Sequence, residues 1–222
     1  MSDIGTLNER ELHAQVKEWL ARPGDRFEVA LDRYVIDIVR GERLIEVQTG
    51  SFGRLRAKLD HFLPRQPVTI VYPIPAERWI IKQGLRRKSP KRGTLYDIFD
   101  ELVSLPTSLD HPNLSLELLL VQDEIEREYD PKRRRGRRRG WMITARRLLN
   151  VQDWVQIERS ADLLRLLPKT LPAPFTTADL AQQAAIPRRR AQQMAYCLHK
   201  LALLERVGKH KNAHQYRVQA QS

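Results

Sequence analysis

Hydrophobic residues recur at two different spacings in the first 75 residues, and the change of spacing predicts alternating helices and strands. Leu12, Val16 and Leu20 follow helical spacing, and Asn8 precedes them in the position of an N-cap. A Pro-Gly pair ends this pattern at residue 24. The sequence therefore predicts a first helix that begins near Asn8.

Three short runs rich in β-branched and aromatic residues come next, at Phe27–Leu31, Tyr34–Val39 and Leu44–Gln48. Polar pairs separate them, which is typical of an antiparallel meander. Ser51–Leu63 returns to helical spacing, and Pro67–Tyr72 is a continuous apolar run of the kind found in buried strands. The predicted order is α-β-β-β-α-β, and the predicted fold class is α/β.

Patterning is weaker after residue 73. Trp79–Ile81 is predicted as a strand, Lys82–Arg92 as a basic loop and Thr94–Ser104 as a helix. Trp154–Ile157 has the composition of a strand, and Ala161–Leu167 that of a short helix. We expect a first domain over residues 1–130, a basic connector over 131–170 and a second domain over 171–222.

The second domain has its own pattern. Thr176 or Thr177 caps a first helix, Ile186-Pro187 forms a turn, Arg188–Leu201 is a second helix, and Leu203–Val218 has the spacing of a β-hairpin. This order resembles the winged helix-turn-helix family, in which the second helix enters the major groove and the hairpin contacts the adjacent backbone. Protein docking is the alternative use of the same fold.

Charge is divided unevenly between these regions. The chain has 39 Lys and Arg against 27 Asp and Glu, a net charge of +12. Residues 1–130 hold 19 basic and 22 acidic side chains, whereas residues 131–222 hold 20 and 5. A basic region of this kind indicates a polyanionic partner, most commonly nucleic acid. With no membrane-spanning run and the single Cys197, we expect a soluble protein of a reducing cytoplasm.

Two carboxylates interrupt the apolar second and third strands. If Gly41-Glu42 forms a two-residue type II′ turn, paired residue numbers sum to 83, and Asp37 stands opposite Glu46. Their Cβ atoms would then lie roughly 4.5–5.5 Å apart. Mg²⁺ or Mn²⁺ would relieve the repulsion. Glu9 shares the inward face of the first helix and adds a third carboxylate. The alternative is that Asp37 and Glu46 lie on the solvent side of a half-exposed sheet, where neighbouring arginines satisfy them.

Residues 7–75 resemble the PD-(D/E)XK, or restriction-endonuclease-like, nuclease superfamily. The resemblance consists of the element order, Asp37, and Glu46-Val47-Gln48 in the place of the (D/E)-x-K element, with Glu9 as the helical carboxylate. It implies Mg²⁺-dependent phosphodiester hydrolysis, with Asp37, Glu46 and the Val47 carbonyl as metal ligands. Gln48 departs from the usual Lys. A neutral amide can orient water but supplies no positive charge, so an inactive relative is the alternative.

Nucleic-acid contacts are predicted in three places. Arg54 and Lys58, one turn apart on the second helix, would contact phosphate or form an exposed helix face. The block KRRRGRRR would bind phosphates without sequence preference or remain a solvated loop. In the second domain the resemblance implies base and phosphate contacts. The residues assigned in the last two places are Arg133, Arg134, Arg135, Arg137, Arg138, Arg139, Arg188, Arg189, Arg190, Gln192, Gln193, Lys209 and Lys211.

Together these features predict a DNA-binding protein whose nuclease-like domain hydrolyses double-stranded or branched DNA with Mg²⁺. Cutting both strands with one site per chain favours a homodimer. The alternative is a catalytically inactive DNA-binding regulator or defence-system accessory. The six histidines have no metal-ligand spacing, and we expect His13 to be a helix-surface or packing residue.

Overall fold

A seven-stranded mixed sheet organises most of the chain in the computed structural model, which describes residues 3–105, 108–131 and 140–219, with side chains from residue 11 onwards. The elements around this sheet are α1 (Asp3–Leu20), β1 (Arg26–Leu31), β2 (Tyr34–Arg40), β3 (Arg43–Val47), α2 (Arg56–Phe62), β4 (Val68–Lys82), β5 (Leu85–Lys88), α3 (Phe99–Leu102), β6 (Leu114–Tyr129) and β7 (Trp141–Ile157). The C-terminal elements are β8 (Phe175–Thr176), α4 (Thr177–Gln183), α5 (Arg188–Lys200), β9 (Leu204–His210) and β10 (Ala213–Val218).

The strand order is β1-β2-β3-β4-β6-β7, with β5 paired to β4. β1, β2 and β3 form an antiparallel meander, β4 is parallel to β3 and to β6, and β7 is antiparallel to β6. The predicted α/β class and the succession of helix, three strands, helix and strand are therefore present. Short 3₁₀ helices, at Phe52–Leu55, Leu95–Ile98, Ser108–Asp110 and Ser160–Leu166, complete the connections.

The β2–β3 hairpin has the predicted register. Ile38 pairs with Ile45 and Val39 with Leu44, so the paired numbers sum to 83. Gly41 has a φ of 56°, and Glu42 is not among the residues with positive φ in the described chain, as a type II′ turn requires. Local turn chemistry thus fixes which residues of these two strands face each other.

β4 corrects two predictions, because it continues ten residues past Tyr72 and includes the run predicted as a separate strand. β6 pairs with β4 beside both prolines, but Pro73 and Pro75 alternate in step with Val71, which faces β3. On that side β3 has ended and β5 has not begun, so no strand there requires their missing N–H groups. The predicted basic loop Lys82–Arg92 is partly strand, since Leu85–Lys88 pairs back onto β4.

Two further expectations change. The first helix begins at Asp3, so Asn8 lies inside it rather than at its N-cap. Residues 141–157, assigned to a connector, form a strand along one edge of the sheet. Residues 114–129, for which the sequence pattern predicted no element, form the long strand β6. Charges interrupt the hydrophobic runs of both long strands at irregular intervals, so neither strand has the regular alternation that predicts one.

Helices cover both faces of the sheet. α1 packs Leu12, Val16 and Leu20 on one face, against a core that includes Val71 and Leu119. α2, α3 and the C-terminal elements share a second, larger core on the other face. Within the described ranges, no helix has the length and apolar character needed to cross a membrane.

The C-terminal elements occur in the predicted order of helix, turn, helix and hairpin. β8, β10 and β9 form a three-stranded sheet. Thr176 caps α4 through a capping box with Asp179, as the sequence predicts for one of its two alternatives. Buried Ala191, Met194 and Leu198 place one face of α5 in the larger core.

Candidate functional site

Two carboxylates are buried side by side in the two strands of the β2–β3 hairpin. The register of this hairpin, extended by one pair, places Asp37 opposite Glu46. Asp37 is 9% exposed and Glu46 is 4% exposed. Ile36 packs in the α2-side core but Ile38 packs in the α1-side core, so the regular alternation of faces breaks at Asp37. This break accompanies a contact between Asp37 and α1.

Asp37 is held from α1 and from β3. His13 Nε2 lies 3.0 Å from Asp37 Oδ2, and the Val47 N–H donates to the same oxygen at 2.8 Å. His13 was expected to be a surface or packing residue, and the structure instead gives it a carboxylate partner. His13 follows Glu9 by four residues, or one helical turn. This spacing is the sequence signal that would have placed His13 on the same helix face as the predicted site residue.

Glu46 is held from α2. Lys58 Nζ donates to Glu46 Oε2 and to the Val35 carbonyl, both at 2.8 Å. Glu46 Oε1 is buried and has no hydrogen-bond partner among the described residues. Burial, and then the Asp37 carboxylate, raise the pKa of Glu46 to about 7, although Lys58 and His13 oppose the change. We call His13, Asp37, Glu46 and Lys58 the carboxylate cluster.

Other residues predicted for this site have different surroundings. Gln48 Nε2 donates to the Ser51 carbonyl at 3.0 Å, and Arg54 is exposed while Lys58 turns inward. The Glu9 side chain lies outside the described residues. Among the side chains that are described, no group of three or more His, Cys, Asp and Glu residues is arranged to hold a metal ion.

A second charged region lies between α5 and the β9–β10 hairpin. This groove has a volume of about 610 Å³. Its lining includes Arg188, Arg206 and Lys211, and no Asp or Glu of the described chain. Burial and the neighbouring Arg206 and Lys209 lower the pKa of His214, another lining residue, as expected in a positive potential. We call this surface the basic groove.

α5 presents its polar residues in two directions. Arg188, Gln192 and the partly exposed ring of Tyr196 follow one another at four-residue spacing and line the basic groove. Gln193 lies off this stripe, and its Oε1 is buried without a partner among the described residues. Fewer of the predicted α5 side chains therefore line the groove than the sequence analysis assigned to nucleic-acid contacts.

The three arginines that begin α5 have different surroundings. Arg188 and Arg189 are exposed. Arg190 instead turns towards the larger sheet, where its guanidinium contacts Asp97 at 2.7 Å and Asp100 at 2.6 Å. The structure thus places Arg190 between α5 and the segment around α3, away from the groove.

The hairpin and the arginine block complete the list of predicted nucleic-acid contacts. Lys209 and Lys211 are exposed near the β9–β10 turn. Residues 132–139, which contain Arg133–Arg135 and Arg137–Arg139, lie outside the described residues, between the paired ends of β6 and β7 at Tyr129 and Trp141.

Comparisons with known proteins give a family. The model of a domain of unknown function, DUF8091, matches residues 10–158, which end one residue after β7. An uncharacterized protein of Treponema pallidum (strain Nichols) is 33% identical over 212 residues, which cover 92% of this chain and 81% of that protein. No solved structure matches. Since the family model covers more than half of the first helix, the whole larger sheet and the carboxylate cluster, the chain belongs to the DUF8091 family.

Proposed function

We propose that this chain is a DNA-binding protein whose larger sheet carries a nuclease site for divalent-cation-dependent phosphodiester hydrolysis. The observation that carries the proposal is the buried pair of Asp37 and Glu46, in which one carboxylate oxygen has no partner among the described residues. A cation would satisfy that oxygen and remove the repulsion between the two carboxylates.

The arrangement of the strands supports the resemblance to the PD-(D/E)XK nucleases. The chain runs from α1 through the β1–β3 meander and α2 to β4, which is parallel to β3. Asp37 lies in the second strand and Glu46 near the end of the third, in the places that the resemblance implies. A restriction-endonuclease-like core is therefore the fold that we propose for the larger sheet.

The residues present fit Mg²⁺ or Mn²⁺. Asp37, Glu46 and the Val47 carbonyl are oxygen donors, which hard cations prefer, and the unpartnered Glu46 Oε1 is the donor most in need of one. Glu9 would add a donor from one turn before His13. When bound, such a cation activates water and stabilises the charge on the phosphate.

The carboxylate cluster also contains a cationic side chain, although Gln48 departs from the usual Lys. Lys58 reaches Glu46 from α2 and places an ammonium group in a buried site, where electrostatic interactions are strong. It would therefore supply the positive charge that the neutral Gln48 amide does not. His13 would hold the Asp37 carboxylate in place from the opposite face of the sheet.

The basic groove supports DNA as the substrate. α5 has 13 residues, or about 20 Å of helix, and the major groove of B-DNA admits one helix. Arg188 and Gln192 would face base edges, while Lys209 and Lys211 on the hairpin would contact phosphates. A winged helix-turn-helix is accordingly the fold that we propose for the C-terminal elements.

The test is incubation of the full chain with supercoiled, linear, branched and single-stranded DNA, and with RNA, in Mg²⁺, Mn²⁺ or EDTA. We expect cleavage of DNA that requires metal and is lost in Asp37→Ala and Glu46→Ala. Asp60→Ala, which removes an exposed carboxylate on α2, is the matched control and should cleave normally. Cleavage that survives both cluster substitutions would reject the assigned site.

A non-catalytic DNA-binding regulator is the second candidate. Gln48 is engaged by the Ser51 carbonyl, and Asp37 Oδ2 already has two partners, which favours a cluster with a structural role. In that case the same assay would show DNA binding without cleavage in every metal, unchanged by Asp37→Ala or Glu46→Ala.

A further inference from the structure

A small pocket lies between β4 and the segment 89–93 that follows β5. Its volume is about 200 Å³. The polar side chains that line it belong to Arg78, Ser89, Lys91, Asp97 and Arg127. Three are cationic and one is a carboxylate, so the pocket has an excess of positive charge. It is separate from the carboxylate cluster and from the basic groove.

Arg78, one of the lining residues, belongs to a largely buried cluster with more cationic than anionic groups. Asp123 is fully buried and accepts hydrogen bonds from Arg78 Nε at 2.7 Å and from Arg146 Nε at 2.9 Å. Two guanidinium groups thus share one carboxylate. Burial, assisted by the nearby Arg78, lowers the pKa of Arg146 although Asp123 opposes the change. An uncompensated charge in such surroundings is costly, and an anion in the adjoining pocket would compensate it.

The one carboxylate of the lining is already neutralised. Arg190 Nη1 lies 2.7 Å from Asp97 Oδ1, and the guanidinium also contacts Asp100. Asp97 therefore opposes a bound anion less than an isolated carboxylate would. Each of the other polar side chains in the lining is of a type that can donate a hydrogen bond.

The outer wall of the pocket is built by close packing of a short segment. The Gly93 N–H donates to the Pro75 carbonyl at 2.8 Å, and a Cβ atom at Gly93 would lie 2.8 Å from that oxygen. Only glycine allows this approach without displacement of backbone. Ser89 Oγ accepts from the Lys91 N–H at 3.2 Å, which leaves its hydroxyl hydrogen for a ligand. The Lys91 ammonium makes no ion pair with any described side chain.

We propose that this pocket binds a phosphoryl group, either as inorganic phosphate or as the terminal phosphate of a nucleic acid. Arginine and lysine are the usual partners of phosphate oxygens. The volume lies below the roughly 300 Å³ at which pockets for whole small molecules begin, which fits a compact anion. Pro75 and Arg78 follow Val71, the β3-paired residue, by four and seven positions, so the pocket lies about 13–23 Å farther along β4.

The test is calorimetric titration of the full chain with inorganic phosphate at constant ionic strength. We expect saturable binding that Lys91→Glu weakens by about tenfold or more, the effect of losing one charged hydrogen-bond donor. Lys169→Glu makes the same charge change at an exposed position outside the pocket and should bind as the wild type does. Circular dichroism establishes that both variants are folded.

A second titration distinguishes the two sources of the phosphoryl group. Binding of a 5′-phosphorylated oligonucleotide more tightly than its 5′-hydroxyl counterpart, with the advantage lost in Lys91→Glu, identifies a terminal phosphate. Binding of inorganic phosphate with no such advantage identifies a free anion. The proposal is overturned if the wild type binds neither ligand saturably, or if Lys91→Glu and Lys169→Glu weaken binding equally.

Discussion

The carboxylate cluster and the basic groove are both charged, but they use charge in opposite ways. In the cluster, Asp37 and Glu46 are buried, and His13 and Lys58 hold them from two helical layers. In the groove the basic side chains are exposed and have no carboxylate among the described lining residues. Buried charges interact strongly and shift pKa values, whereas exposed charges are screened and remain available to a partner. The comparison therefore separates a candidate chemical site from a candidate binding surface.

Removal of the buried ammonium group is expected to have the largest effect. If Lys58 supplies the positive charge of the site, Lys58→Gln should slow DNA cleavage by about 10²- to 10³-fold, the usual loss for one electrostatic contact to a transition state. Gln48→Ala should change the rate much less. Initial cleavage rates of folded variants measure both. If Gln48→Ala instead slows cleavage more than Lys58→Gln does, Gln48 has the larger role in catalysis and Lys58 is a packing residue.

The buried carboxyl should also make stability depend on pH. Because the pKa of Glu46 rises from 4.5 to about 7 on folding, the folded state keeps a proton that the unfolded state loses. The free energy of unfolding should therefore fall by about 3 kcal/mol between pH 4.5 and pH 7 through this group. Glu46→Gln should remove that part of the slope. Denaturant unfolding at several pH values measures the difference, and parallel curves for the two proteins would contradict the prediction.

The exposed charges of the basic groove should make DNA binding depend on salt concentration. Arg188→Ala and Lys211→Ala should each weaken DNA binding by about tenfold and reduce the slope of log affinity against log salt by about 1. Lys169→Ala, outside the groove, is the control. Fluorescence anisotropy with a short duplex at several salt concentrations gives both quantities. If a variant shows the same dependence of log affinity on log salt as the wild type, the substituted residue lies outside the DNA interface.

The smallest effect is expected where α5 contacts the segment around α3, outside both regions. Arg190→Ala should lower the free energy of unfolding by about 1 kcal/mol, because its ion pairs with Asp97 and Asp100 are only partly buried. Arg189→Ala should leave stability unchanged, since that side chain is exposed. Denaturant unfolding measures both. DNA affinity that falls more for Arg190→Ala than for Arg188→Ala would contradict the assigned orientation of α5.

The sequence predicted those parts of the fold that local chemistry determines. The Gly41-Glu42 turn fixed the pairing of β2 with β3, and hence the opposition of Asp37 and Glu46. Thr176 and its capping box fixed the start of α4. Both features depend on residues a few positions apart, so no knowledge of the tertiary structure was needed.

Features that depend on distant partners were missed. The predicted strand ended at Tyr72, yet β4 continues through Pro73 and Pro75, which lie beside a gap between β3 and β5. Lys58 was predicted to contact phosphate. Helical spacing does not show that its side chain turns towards Glu46, which lies on another element. Arg190 was grouped with its two neighbours because its carboxylate partners are about ninety positions away in the sequence. In each case, the extent of the strand or the orientation of the side chain depends on tertiary packing, which the local sequence pattern does not show.

The most direct test of the central claim is a calorimetric titration of the full chain with Mn²⁺ in the absence of DNA. If the carboxylate cluster is a cation site, the wild type should bind the ion saturably, and Asp37→Asn and Glu46→Gln should each weaken binding by about tenfold or more. Asp60→Asn, with its exposed carboxylate removed, should bind as the wild type does. No saturable binding by the folded wild type, or equal binding by all four proteins, would contradict the account.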